Sequence, residues 1–213
     1  MFFVIDTENN QFSGLLANLQ LYIRNWYNKV FSLILLNKIT MITIISSTNR
    51  PGSISLKLSK YYQNQLANKG VKANILSLMD LPPNIIVSDL YGKRSQEFEP
   101  IQKLINDTQK FIFVVPEYNG SFPGVLKTFI DACSFPDSFT DKKAALVGLA
   151  TGKYGNIRGI DHLTGVCNYV NLHVLPMKIH IPFIKQELDE NDQLFKEDTV
   201  KFVNEQIEKF IKF

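Results

Sequence analysis

FIFVVPEYNGSFPGVLKTFIDA, residues 111–132, decides how the rest of the chain is read. Phe111 to Val115 is a continuous apolar run, the composition of a strand covered on both faces. Pro116 has no N–H to donate and is expected to end the ladder there. Gly120, Pro123 and Gly124 force a tight path, and Phe122 to Ser134 then has helical spacing. A buried strand feeding a helix is half of a βαβ unit. The turn between them carries Glu117, Tyr118 and Asn119, a carboxylate, an aromatic ring and an amide where a connector requires none. It fits either a packed strand-to-helix connector or the rim of a site for a flat heterocycle, bordered by Tyr118 and read by outward-facing backbone groups.

The alternation continues on both sides. Strands are predicted at Ile42–Ser46, Val71–Leu78, Ala144–Ala150 and Leu172–Met177, and helices at Ser55–Asn68, Phe98–Lys110, Ile157–Tyr169 and Lys196–Lys212. Residues 79–97 are expected to be irregular, because LPPN breaks a helix. Strands alternating with helices imply a parallel sheet covered on both faces, an α/β fold. Five strands make the flavodoxin-like order 2-1-3-4-5 the natural candidate. Its ligand site lies at the carboxyl ends of strands one and three, where the winding reverses. The loops after Ser46, Val115 and Ala150 are therefore where function is expected.

Residues 1–40 read differently. Leu15, Leu16, Leu19, Tyr22, Ile23 and Trp26 recur at helical spacing, compatible with an amphipathic helix. The start of the segment lacks the basic region of a signal peptide, and its apolar stretch, Val30–Leu36, falls far short of the ~20 residues a membrane span needs. Met41 is expected to begin the domain, 41–213, with 1–40 an N-terminal extension that is non-native or poorly ordered. The net charge of +3 and the absence of a Lys/Arg block give no case for nucleic-acid binding. Cys133 and Cys167 stand outside any metal-ligand spacing and are expected to be buried thiols, and the three histidines do not cluster. No metal site and no catalytic triad are expected.

The first loop, Ser46–Ser55 (SSTNRPGSIS), combines hydroxyls, Arg50 and the flexible Gly52 just before a helix, a plausible phosphate cradle or simply a hydrophilic loop with a serine cap. It is neither a Walker loop nor GxGxxG. The third, Ala150–Gly159 (ATGKYGNIRG), has three glycines that permit close backbone approach to a ligand, or make a plain turn. A GxSxG nucleophile elbow does not fit residues 120–124.

Together the loops resemble those of the NADPH-dependent FMN reductase family, flavodoxin-like enzymes that include azo, quinone and chromate reductases. The family motif P-E-Y-N-x-S-x-P-G-x-L-K is matched in full by Pro116 to Lys127. Ser47, Arg50, Ser53 and Ser55 occupy the stretch of its G-S-x-R-x-x-S motif, with Ser46 where Gly is common and one extra residue before Arg50. Gly155 to Arg158 matches its Gly-rich third loop. The resemblance covers about residues 41–180. It implies bound FMN, with NADPH or NADH as electron donor and a small acceptor such as a quinone, azo compound, chromate or free flavin. It places the phosphate on the first loop, at Ser47, Thr48, Arg50, Ser53 and Ser55. The isoalloxazine falls against Pro116, Glu117, Tyr118, Asn119, Gly120 and Ser121, and Thr151, Gly152, Gly155 and Asn156 close the pyrimidine side. The flavin carries the chemistry, so no side chain is required as a catalytic acid or base. The family also implies a homodimer and a cytoplasmic protein; Phe129, Phe135 and Phe139 fit either the dimer's apolar surface or the core equally well. A flavodoxin-like electron carrier and a non-enzymatic FMN-binding protein are the alternatives. The basic net charge weighs against the acidic docking face of a carrier.

Overall fold

A computed structural model describes residues 19, 20, 22–24, 26 and 40–213. Met41–Phe213 is a compact unit distinct from the preceding residues. Leu19, Tyr22, Ile23 and Trp26 are helical and exposed, while Leu15, Leu16 and Val30–Leu36 lie outside the described residues. No described helix is long and apolar enough to cross a membrane.

The unit runs β1 (Ile42–Ser46), α1 (Ile54–Asn68), β2 (Ala73–Ser77), a short α2 (Ile85–Ser88), α3 (Glu99–Asp107), β3 (Lys110–Pro116), α4 (Gly124–Ala132), β4 (Lys143–Leu149), α5 (Ile157–Tyr169), β5 (His173–Val174), β6 (Ile179–Ile181) and α6 (Glu197–Lys212). The sheet is parallel in the order β2-β1-β3-β4-β5, with β6 also paired to β4. This is the flavodoxin-like α/β topology.

Each central strand feeds two cores because successive side chains point to opposite faces. Ile45, Phe111, Phe113, Val115 and Leu146 pack with residues of α3, α4 and α5, including Ile105, Phe129 and Ile160. On the other face Ile44, Ile112, Val114 and Val147 meet Leu58, Tyr62 and Leu66 of α1 and Val203, Ile207 and Phe210 of α6.

Three expectations are corrected. The fifth strand is two pieces, because Pro176 cannot donate to the ladder. The buried Gln206 of α6 fills that break: its amide donates to Leu146 O at 3.1 Å and Met177 O at 2.9 Å, while Tyr62 Oη donates to its Oε1 at 3.0 Å. Residues 79–97 are not wholly irregular, since α2 begins two residues after Pro82-Pro83. Finally, Pro116 is the last strand residue, not a stop, and the Glu117 N–H still reaches Leu149 O at 2.9 Å.

Candidate active site

The first loop folds on its own hydroxyls. Ser53 caps α1, its Oγ accepting from Leu56 N at 3.3 Å and from Ser55 Oγ at 3.1 Å. Ser46 Oγ continues this chain to Ser55 Oγ. Neither acidic residue type occurs in the first turn of α1, so the N–H groups of Ile54 and Ser55 and the positive end of the helix dipole stand uncompensated. Arg50 is exposed just before the Pro51-Gly52 turn, and Gly52 takes φ +63°, which a side chain would strain. Ser47 differs from its neighbours. It is fully buried, with its Oγ donating to Ile45 O at 3.2 Å.

The second loop is a two-residue hairpin. Tyr118 and Ser121 exchange N–H···O bonds of 2.9 and 3.0 Å, and Asn119 and Gly120 both have positive φ, 51° and 76°. Asn-Gly is the pair that this turn geometry favours. The turn holds Tyr118 toward the first loop, where its hydroxyl lies 2.9 Å from Thr48 Oγ1. Ser121 is turned the other way, its Oγ 2.9 Å from His162 Nδ1.

The third loop is built by close packing. A Cβ on Gly155 would lie 2.8 Å from Ile181 N, and one on Gly148 would collide with Gly155 O. Asn156, at φ 63° and 0% exposed, donates from Nδ2 to Val115 O at 2.9 Å and so ties the loop to β3. Its Nδ2 is thereby spent inside the fold, while its buried Oδ1 has no hydrogen-bond partner among the described residues. Beside the loop, burial holds the His180 imidazole below its ordinary range, opposed by the Gly155 backbone and the Asp161 charge. Thr151 to Tyr154 are exposed, as are Ile157 and Arg158. A strap after β6 is tied to the start of the loop: Phe183 N donates to Gly152 O and Ile184 N to Ala150 O, both at 3.0 Å.

These pieces enclose a cleft of about 370 Å³ at the carboxyl ends of β1 and β3, within the range typical of small-ligand pockets. Thr48, Arg50, Ser53 and Ser55 form one wall, Pro116, Glu117 and Tyr118 another, and Thr151 reaches it from the third loop. Of the residues read from sequence, Ser47, Asn119, Gly120, Ser121, Gly152, Gly155 and Asn156 do not line it. Sequence reasoning missed Ile184 and Lys185, which do. The loop after the last strand opens at the same end of a parallel sheet as the other three, and that rule could have found them. Arg50 and Lys185 face one lining carboxylate, Glu117, so charged side chains give the cleft a net positive balance.

Thiol chemistry has no place in this arrangement. Burial pushes the Cys167 thiol up to about 12 and raises that of Cys133 as well, leaving both protonated at neutral pH. Of the three phenylalanines that fit either a dimer surface or the core, Phe129 and Phe139 are core residues, whereas Phe135 is 71% exposed.

Residues 40–186 match the profile of the family described as NADPH-dependent FMN reductase. The chain belongs to this family. Among its relatives, a 2-hydroxy-1,4-benzoquinone reductase from a Burkholderia species is 32% identical over 110 residues, 50% of this chain and 60% of the relative. An NAD(P)H-dependent FMN reductase of Pseudomonas aeruginosa is 28% identical over 113 residues, 52% of this chain and 61% of the relative. The chain thus spans about three fifths of the length of each. Among solved structures, a flavoenzyme NAD(P)H:(acceptor) oxidoreductase from Paracoccus denitrificans superposes with a TM-score of 0.71 at 22% identity, covering 82% of this chain and 96% of the other. At that identity the likeness speaks to the flavodoxin-like fold.

Proposed function

We propose that this member of the NADPH-dependent FMN reductase family is an FMN-dependent NAD(P)H oxidoreductase acting on a small acceptor: a quinone, an azo compound, chromate or free flavin. One observation carries the reading. The uncompensated start of α1, Arg50 and the Tyr118 hairpin line a single cleft, so an anion site and a ring-sized edge are side by side. That donor set fits FMN. Ile54 and Ser55 N–H, the Ser53 and Ser55 hydroxyls and Arg50 would hold the phosphate. Lys185 adds charge from the strap. Pro116 to Tyr118 would lie along the isoalloxazine, with Thr48 fixing the tyrosine hydroxyl. When bound, FMN supplies the redox chemistry, taking a hydride from NAD(P)H and passing the electrons on. The protein's share is to orient the ring and the phosphate, without a side chain that moves a proton.

In this reading Met41–Phe213 is the FMN-binding domain and 1–40 an extension it does not need. Deleting residues 1–40 is expected to leave a folded domain that still takes up FMN. We further propose a cytoplasmic homodimer. The two free thiols suit a reducing compartment. Phe135 and the 87% exposed Tyr169 border one groove between α4 and α5, apolar surface suited to a second copy. Light scattering measures that state.

The test of the function is direct. Purified protein mixed with FMN should turn yellow, retain the flavin through gel filtration, and consume NADPH or NADH when a quinone is added. Protein that takes up no FMN ends the reading. Flavin uptake without turnover makes the chain an electron carrier or a non-enzymatic flavoprotein instead.

A further inference from the structure

The exposed face of the third loop carries charge that the cleft does not use. Lys153 Nζ lies 4.9 Å from the centroid of the Tyr154 ring, and Arg158 Cζ 5.7 Å from it. The ring itself is 51% exposed. Arg158 also rests against the Asn119-Gly120 turn, its Nη1 3.6 Å from where a Cβ on Gly120 would be. Among the described residues, neither Lys153 nor Arg158 forms a salt bridge with a carboxylate. Two cations beside one half-exposed aromatic ring, without a neutralising acid, are matched by an anion attached to a flat ring. The guanidinium adds a fork suited to phosphate oxygens.

This shelf is connected to the cleft wall on two sides. Thr151 lines the cleft and Tyr154 follows three residues later, within roughly 11 Å of chain even if fully extended. On the other side, the hairpin that Arg158 touches is the one that puts Tyr118 into the cleft wall. A flavin phosphate already has Arg50 and the start of α1. A second phosphorylated ligand approaching from this side would meet Lys153, Tyr154 and Arg158 next.

We infer that Lys153, Tyr154 and Arg158 receive the adenosine 2′-phosphate of NADPH, and so set a preference for NADPH over NADH. The inference rests on the reductase reading above. The adenine would stack on Tyr154, and the 2′-phosphate would take its donors from Arg158 and its charge from Lys153. NADH lacks that phosphate and forfeits those contacts.

Calorimetry on the full chain tests it without turnover. Adenosine 2′,5′-bisphosphate and adenosine 5′-monophosphate differ only in the 2′-phosphate. The first should bind at least tenfold more tightly. Arg158→Gln and Lys153→Ala should each cut that preference by roughly threefold, the pair should abolish it, and Arg158→Lys should keep part of it. Both positions are exposed, and circular dichroism checks that the variants fold. In steady state, the NADPH-to-NADH ratio of kcat/KM should fall in the same order. Equal binding of the two nucleotides by the wild type, or a preference that survives in the folded double variant, overturns the inference. If the wild type takes up FMN and oxidises NADH yet ignores the 2′-phosphate, the inference falls and the reductase reading stands. Failure to take up FMN removes that reading instead, and the nucleotide titration still decides whether this shelf reads a 2′-phosphate.

Discussion

The first and third loops look alike in sequence and are built in opposite ways. Both are short, polar and followed by a helix, and both leave the carboxyl end of a central strand. The first keeps Arg50, Gly52 and the start of α1 at the surface of the cleft. The third turns Gly155 and Asn156 inward, against β6 and β3, and leaves Thr151 to Tyr154 outside. Small and polar residues thus line the cleft in one loop and serve as packing in the other. What separates the two roles is whether the backbone has a sheet to close on.

That contrast predicts which quantity each substitution changes. Gly155→Ala should have the largest effect, and on stability. The new Cβ meets Ile181 N at 2.8 Å in a left-handed backbone, and left-handed strain plus overpacking cost about 3 kcal/mol. A urea midpoint lowered in proportion is expected; an unshifted midpoint would break the contrast. Arg50→Ala should leave the urea midpoint in place and weaken FMN roughly tenfold by losing a charge-assisted contact. Riboflavin, which has no phosphate, supplies the control in fluorescence titrations. An equal loss for both flavins would assign Arg50 to the ring and not to the phosphate. Lys185→Ala should follow the same pattern at roughly threefold, because an exposed cation is strongly screened. Its effect should fade as salt is raised.

The smallest expected effect is on pH dependence. His180 is held neutral in the folded state by burial, so its folded pKa lies below its unfolded one. As pH falls through about 6.5, the ordinary histidine value, the unfolded chain takes up a proton that the folded protein refuses, and stability declines. The decline continues until the lower folded pKa is passed. Subtracting the unfolding profile of His180→Gln from that of the wild type isolates this slope. A stability difference that rises on acidification would reverse the assignment.

The order of the fold was legible because apolar runs and helical spacing alternate cleanly, and α5 falls on Ile157–Tyr169 to the residue. The hairpin at Asn119-Gly120 was read only as a tight path into the helix, although that pair favours such a turn. The resemblance reached Arg50, Glu117 and Tyr118 because their types and spacing are local. It could not tell that Asn156 spends its amide on Val115 O, forty-one positions away, since an exposed and a buried asparagine read the same. Phe129 and Phe139 were ambiguous for the same reason: a phenylalanine near a helix suits a core as well as a partner. Lys185 was missed because it follows the last strand, beyond the motifs. Pro176 was visible, but what repairs the ladder there is Gln206, thirty residues on.

That interrupted strand has a consequence for how copies of the protein meet. β5 and β6, of two and three residues, form the outer strand beside β4, and Pro176 lies between them. A long row of free N–H and C=O groups on such a border invites another sheet to add to it, and short strands with a proline remove the invitation. Gln206 completes the repair by occupying the Leu146 and Met177 carbonyls from within the same chain. On that side the sheet offers no long border for growth, and the proposed homodimer would use a surface such as the groove bordered by Phe135 and Tyr169 instead.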